Sequence, residues 1–327
     1  MRPTRRSVLA GLMTAGALAP GLAATVTTGP ARAAEEAGPK EFRIGYQKIG
    51  LIVVTRQRQL IEAQLAGRGV TVRWFEFQAG PPLLEALNAG GIDFGYTGDA
   101  PPIFSQAAGG NLVYTAAAAP SGAGEAILVK ASSPIRTLAD LKGRKVAVAR
   151  GTSSHNLLVA ALEQANLRFS DITPVYLSPA DAGSAFTGDS VEAWAIWDPF
   201  FAIAEARDRT RVLATSGQIL DVSGYFLANR TFAQAHPAVI RAALRALEEG
   251  AAWAEGHRAQ VAQALAAVTG IPLPIQAVVA ERTQFAVRPL SEAILAGQQA
   301  TADRFHRLGL IPRAITVRDA VWTAPPS

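Results

Sequence analysis

Short apolar runs alternate along this chain with longer stretches in which apolar residues return every three or four positions. The first pattern is that of strands, the second that of amphipathic helices. From Phe42 the chain predicts a strand over 42–46, a loop over 47–50 and a helix over 51–65 that Gly67 and Gly69 stop. A β-branched and aromatic strand follows at 70–77, then a proline-started helix carrying Leu83, Leu84 and Leu87. A third strand at 92–96 leads through a loop at 97–102 into a helix at 103–108, and a fourth strand covers 112–118. This βαβαβαβ order predicts a parallel sheet covered by helices, with ligands held beyond the carboxyl ends of its strands. The loops at those ends include Gln47, Ala79 to Pro82, and Thr97 to Ala100.

Pro120, Gly122 and Gly124 mark a break and a candidate hinge. A second α/β series follows. It predicts strands over 126–130, 145–149, 172–177 and 191–197, a capped short helix at Thr137, and helices after Asn156, Ser178 and Asp198-Pro199. A short extended piece covers 212–214, and 222–228 reads as a strand that returns the chain to the first unit. Beyond Thr231 the pattern is helical, over 237–253, 258–268, 275–285 and 291–308. These read as packing helices.

The chemistry gathers around Gly151-Thr152-Ser153-Ser154-His155-Asn156, which joins a strand end to a helix start. First-turn N–H groups lack internal partners and carry the positive end of the helix dipole. Three hydroxyl residues at that point make a candidate anion site that needs no Lys or Arg. Taken alone, the same residues are better explained as ordinary N-caps. Gln47, Thr97 and Gly98 add uncharged donors at other helix starts. Trp194 and Trp197 lie near them in the predicted topology, three apart on one strand, so they face opposite ways. An indole face would cover the apolar tail of an organic anion, and a permanently ionised sulfonate only accepts hydrogen bonds, which suits a donor-only lining. Asp198 reads as a helix N-cap, a hinge contact or a donor-orienting residue.

Catalytic signatures are missing. The sequence has no G-x-x-x-x-G-K-[ST] loop, no G-x-S-x-G elbow and no dinucleotide fingerprint. There is no cysteine, which excludes disulfides, zinc-thiolate sites and a cysteine nucleophile. The four histidines have no ligand spacing, and His155 reads as a structural or rim residue. No cofactor, metal or catalytic residue is expected.

The N-terminus changes the charge balance. Arg5-Arg6 precede an uncharged stretch to Ala31, and Ala31-Arg32-Ala33 is an A-x-A cleavage signal. Residues 1–33 are therefore expected to be a twin-arginine signal peptide cleaved after Ala33, with a periplasmic mature protein. Arg2, Arg5, Arg6 and Arg32 leave with it and no acid does, so the formal net charge falls from +5 to +1. That gives no reason to expect a nucleic-acid partner.

Four segments occur in a telling order: Gly45-Tyr46-Gln47-Lys48, Gly98-Asp99-Ala100-Pro101-Pro102-Ile103-Phe104, Gly151 to Leu158, and Ala193-Trp194-Ala195-Ile196-Trp197-Asp198-Pro199. In this the chain resembles the periplasmic aliphatic sulfonate-binding proteins of sulfonate ABC transporters, within the taurine/nitrate-type solute-binding proteins. The resemblance runs to Gln298 to Asp303 and Val321-Trp322. It implies an α/β, type II two-lobed periplasmic binding protein fold, with two α/β domains joined by a two-strand hinge. Lobe 1 would comprise 41–122 and 228–327, and lobe 2 would comprise 123–227. It also implies a monomer that closes on an alkanesulfonate and meets an ABC permease and, through it, an ATPase. By motif position the ligand residues would be Gln47, Thr97, Gly98, Asp99, Thr152, Ser153, Ser154, His155, Trp194 and Asp198. In that setting the 151–156 loop reads as the anion site.

Two rivals stand beside this reading. A taurine-like aminosulfonate would need an acidic partner for its ammonium, for which Asp99, Asp198 or Glu125 would serve. An enzyme on the same fold is the other, and the missing cysteine excludes desulfination through a cysteine nucleophile.

Overall fold

The computed structural model describes residues 38–120 and 122–324. Its elements in chain order are β1 Glu41–Tyr46, α1 Gly50–Gln57, α2 Leu60–Leu65, β2 Thr71–Glu76, α3 Gly80–Asn88, β3 Phe94–Thr97, α4 Ala100–Ala107 and β4 Leu112–Pro120. Then come β5 Glu125–Lys130, β6 Lys145–Val148, α5 Ser153–Gln164, β7 Thr173–Tyr176, α6 Pro179–Thr187, β8 Ala193–Trp197, α7 Phe200–Arg207, β9 Thr210–Thr215 and α8 Ser216–Ile219. The chain ends with β10 Ser223–Asn229, α9 Arg230–Ala235, α10 Pro237–Gly256, α11 Arg258–Thr269, α12 Leu273–Arg282, β11 Val287–Arg288 and α13 Glu292–Arg307.

The strands form two sheets. One has the order β11-β4-β10-β3-β1-β2, the other β7-β6-β8-β5-β9. The β1, β2 and β3 strands pair in parallel, as do β6, β7 and β8. The first sheet is mixed, not wholly parallel as the βα repetition predicts. The β10 strand returns from the second sheet and lies antiparallel between β3 and β4. In mirror fashion β5 arrives from the first sheet and lies antiparallel between β8 and β9. Each crossing strand enters its new sheet against the direction of the residents, and repetition of βα units does not encode that.

Residues 122–124 and 220–222 lie in the crossings, and near them the Gly217 N–H donates to the Gly122 carbonyl at 2.8 Å. The β10 strand Ser223–Asn229 belongs to the six-stranded sheet, so a boundary at 227/228 falls inside a strand.

Apolar parity explains the layers. Phe42, Ile44 and Tyr46 of β1 point to one face of the first sheet, where α1, α2, α10, α11 and α12 pack. The other face is covered through Leu83, Leu84, Leu87, Ile103 and Phe305, from α3, α4 and α13. In the second sheet Ala193 and Ala195 of β8 face α5, whereas Trp194 and Ile196 face α6 and α7. The single helix predicted over 51–65 is broken into α1 and α2 at Gln59, which takes the left-handed conformation at φ 53°. The break lets both pieces pack on α10.

Candidate functional site

A cleft, continuous with solvent at its mouth, lies between the two sheets. Its walls come from the carboxyl ends of strands in both lobes, as the α/β topology requires. The β1 strand delivers Gln47, β3 delivers Gly98 and Asp99, and β8 delivers Trp197 and Asp198. Thr152 and Ser153 stand at the start of α5.

The lobes meet at Gly98 and Ser153. Gly98 opens the way into α4, whose Pro101 and Pro102 fill first-turn positions where no N–H is needed. Gly151 takes φ +73°, a turn that glycine makes without strain and that aims the first turn of α5 at the cleft. The Ser153 and Ser154 amides belong to that turn and no carbonyl four residues back can reach them. The Ser153 hydroxyl donates to Glu125 Oε1 at 2.7 Å. Thr152 is spent locally, its Oγ1 donating to the Ala149 carbonyl at 2.6 Å. Ser154 is fully buried, its hydroxyl 3.0 Å from Thr152 Oγ1, and it does not line the cleft.

Gln47 is nearly buried and its amide donates to the Tyr96 carbonyl at 3.2 Å. Thr97 is buried with its hydroxyl toward the Gly98 carbonyl at 3.0 Å, behind the cleft wall. Asp99 stands at the junction of the lobes. Its Oδ2 accepts from Asn156 Nδ2 at 2.5 Å, while Oδ1 is buried without a partner. Burial is the main cause that pushes this carboxyl up to about 6, against the Asn156 hydrogen bond.

His155 lies outside the cleft. Its ring is fully buried among Phe104 and Phe305 of the first lobe and Phe169 and Tyr176 of the second. Nδ1 accepts from the Gly151 N–H at 3.3 Å. Burial pushes its pKa down to about 4, so the ring is neutral and acts as packing across the lobe junction.

The tryptophans exchange roles relative to the expectation. Trp194 is 3% exposed and packs on Phe186, its ring centroid 5.9 Å away. Trp197, at the strand end, lines the cleft and meets Phe200 edge-on. The strand is long enough to bury residue 194 in the layer under α6 and ends at residue 197, where a side chain emerges. Strand parity separates the two indoles, but the strand end decides which reaches the ligand space.

Asp198 has a double role. Its Oδ1 accepts from the Ala202 N–H at 3.0 Å, a cap on α7, and lies 3.5 Å from Arg282 Nη1, an ion pair short of a hydrogen bond. Oδ2 is buried without a partner. Burial raises this carboxyl to about 6, with Arg282 pulling the other way. Arg282 was not expected at the site. It ends α12 in the first lobe, donates to Glu205 Oε2 of α7 at 2.5 Å and stacks on Phe201 at 4.1 Å. Among the described lining residues it is the one cation. No local signal marks it, because its place depends on how a late helix packs across the lobe junction. Among the described residues no His, Cys, Asp and Glu group suits a metal, and no helix is long and apolar enough to cross a membrane.

The "NMT1/THI5 like" family model matches residues 65–260. A curated protein of Escherichia coli (strain K12) named for aliphatic sulfonates binding is 44% identical over 292 residues, which is 88% of this chain and 91% of that one. The crystal structure of the periplasmic aliphatic sulphonate binding protein SsuA from Escherichia coli superposes with a TM-score of 0.81 at 42% identity, covering 88% of this chain and 94% of that chain. The alkanesulfonate-binding protein SsuA from Xanthomonas axonopodis pv. citri, bound to MOPS, gives 0.83 at 40% identity, covering 88% and 99%. Both are binding proteins of the same two-lobed architecture.

Proposed function

This chain belongs to the NMT1/THI5-like family, and on that premise we propose that it binds aliphatic sulfonates outside the cytoplasm and delivers them to an ABC permease for sulfur acquisition. The observation that carries this reading is the meeting of Gly98-Asp99 and Thr152-Ser153 across one cleft. The first turn of α5 presents N–H groups and hydroxyls to an anionic head, Arg282 adds a cation, and Trp197 offers an apolar face for the tail. Gln47, Gly98, Thr152, Ser153, Trp197 and Arg282 are the proposed ligand contacts. Thr97, Ser154, His155 and Trp194 are proposed to support the walls, with Asp99 and Asp198 joining the lobes.

The protein acts by binding, as its close relatives do, and catalyses no reaction. It works as a monomer, exported through the twin-arginine segment in residues 1–33 and cleaved after Ala33. That segment lies outside the described residues. Titration calorimetry against a series of alkanesulfonates, taurine, sulfate and nitrate tests the proposal. Heat with alkanesulfonates and none with sulfate or nitrate supports it; no heat with any alkanesulfonate overturns it.

A second reading rests on the unpartnered Asp99 Oδ1 and Asp198 Oδ2. An ammonium would find an acceptor in either, so a zwitterionic aminosulfonate is the alternative ligand, and the same titration separates it.

A further inference from the structure

Glu125 is the first residue of β5, 1% exposed, immediately past residues 122–124 of the crossing. Its Oε1 is the acceptor of the Ser153 hydroxyl at 2.7 Å. A serine hydroxyl has one proton to give. While Glu125 is a carboxylate, which can only accept, that proton is committed to it and Ser153 turns lone pairs to the cleft. When Glu125 carries a proton it can donate to Ser153 Oγ, and the Ser153 proton is free to meet an anion.

Ser153 faces the Glu125 carboxyl from α5 and Asp99 from the start of α4, and Tyr96 of β3 is close enough for the two groups to interact electrostatically. Its cross-strand neighbour Trp197 precedes Asp198, whose charge is met by Arg282. No cation is among the groups acting on Glu125 itself. Burial, reinforced by the Asp99 charge, holds its carboxyl up at about 8 against the opposing Ser153 bond.

We propose that Glu125 is a positioning residue whose protonated carboxyl turns Ser153 into a hydrogen-bond donor toward the bound anion. This rests on the sulfonate reading above. It selects a head group that is fully ionised and accepts only, and above the Glu125 titration it makes binding take up a proton. A sulfonate stays ionised throughout the range concerned, so the ligand itself adds no pH dependence.

The test is titration calorimetry of the whole mature protein with that alkanesulfonate, of the ethane- to octanesulfonate series, which gives most heat at pH 6.5. Titrations at pH 6.5, 7.5, 8.5 and 9.5, each in two buffers of different ionisation enthalpy, read affinity and proton uptake together. The expected result is a Kd that rises by up to tenfold per pH unit above the Glu125 titration, with proton uptake approaching one per ligand. Glu125→Gln is expected to bring the ratio of Kd between pH 9.5 and 6.5 to within about twofold and to abolish proton uptake, because its amide donates at every pH. Asp99→Asn is expected to move the midpoint to lower pH by removing the charge that holds Glu125 protonated. A merely structural Glu125 would leave proton uptake near zero in the unmodified protein. That result, or a Glu125→Gln protein that keeps the full pH slope, overturns the proposal. Should Glu125→Gln fail to fold, proton uptake by the unmodified protein and the Asp99→Asn midpoint decide. No heat at any pH overturns the sulfonate reading and this proposal with it, whereas pH-independent binding overturns this proposal alone.

Discussion

A carbon placed on Gly98 would lie 2.8 Å from the Ser153 Cβ and 3.0 Å from its Oγ. Gly98 stands at the end of β3 in the first lobe and Ser153 at the start of α5 in the second. The two lobes therefore touch through a position that has no room for a side chain.

Gly98→Ala is expected to strain this contact by about 1–3 kcal/mol, the usual cost of overpacking. Because the strain falls on the junction of the lobes, sulfonate affinity should drop about tenfold or more while the melting temperature changes little. Calorimetry and thermal unfolding of the same sample check it. A Gly98→Ala protein with unaltered Kd would show that the lobes need not meet here.

The adjacent serines are expected to separate. Ser153→Ala removes a hydroxyl that lines the cleft and should weaken binding several-fold. Ser154→Ala removes a fully buried hydroxyl bonded to Thr152 and should cost about 1 kcal/mol of stability with binding nearly retained. The reverse pattern in a paired melt and titration would sink the assignment.

Arg282 ties α12 of one lobe to Asp198 and Glu205 of the other. Its side chain is 21% exposed and Glu205 33%, so the pair with Glu205 is worth no more than about 1 kcal/mol. The larger effect of Arg282→Ala is on Asp198, left buried without a counter-charge. Affinity is expected to fall at least tenfold. Small-angle scattering with saturating ligand should show a larger radius of gyration than the unmodified protein gives, and equal radii would refute the cross-lobe role.

Stability should fall as pH rises from about 5 to 8. Asp99 and Asp198 keep their protons to about 6, and Glu125 to about 8, whereas an unfolded chain releases all three near pH 4. The folded state thus holds more protons in this window, and stability declines with pH by about 1.4 kcal/mol per unit for each proton of difference. His155 opposes this. Neutral down to about 4 when folded, it contributes stability that is present above 6.5 and lost as pH falls. Three carboxyls outweigh one imidazole between pH 5 and 6, and above 6.5 Glu125 acts alone. Melting temperatures at pH 5, 6.5 and 8 check the trend, and Glu125→Gln should flatten its upper part.

Much of this architecture was legible because it is local. The short apolar run at 42–46 placed a strand, and the small residues at 151–156 placed a helix start. Relations between distant segments were not legible. Repetition of βα units implied parallel neighbours, yet β10 and β5 enter their sheets backwards. Helical periodicity across 51–65 hid the turn at Gln59, since one left-handed residue barely disturbs the apolar pattern. The motif around Trp194 pointed to an indole in the cleft, but the end of β8 puts Trp197 there. Periodicity shows Arg282 only as one residue of a packing helix, because its partners lie more than seventy residues earlier. The motif position of His155 pointed to the ligand, but four surrounding rings from both lobes hold it away from the cleft and explain why a histidine is tolerated without charge.

The antiparallel seat of β10 between β3 and β4 bears on the order in which the molecule can be built. During synthesis β1 to β4 emerge first, yet the centre of their sheet stays open until residue 229 has been made. The second sheet has all its strands by residue 215, from one unbroken stretch of chain that starts at Glu125. Its contacts are therefore nearer in sequence and less costly to close. The half of the protein that leaves the ribosome first is thus the half completed last, and until then the apolar flanks of β3 and β4 await their neighbour.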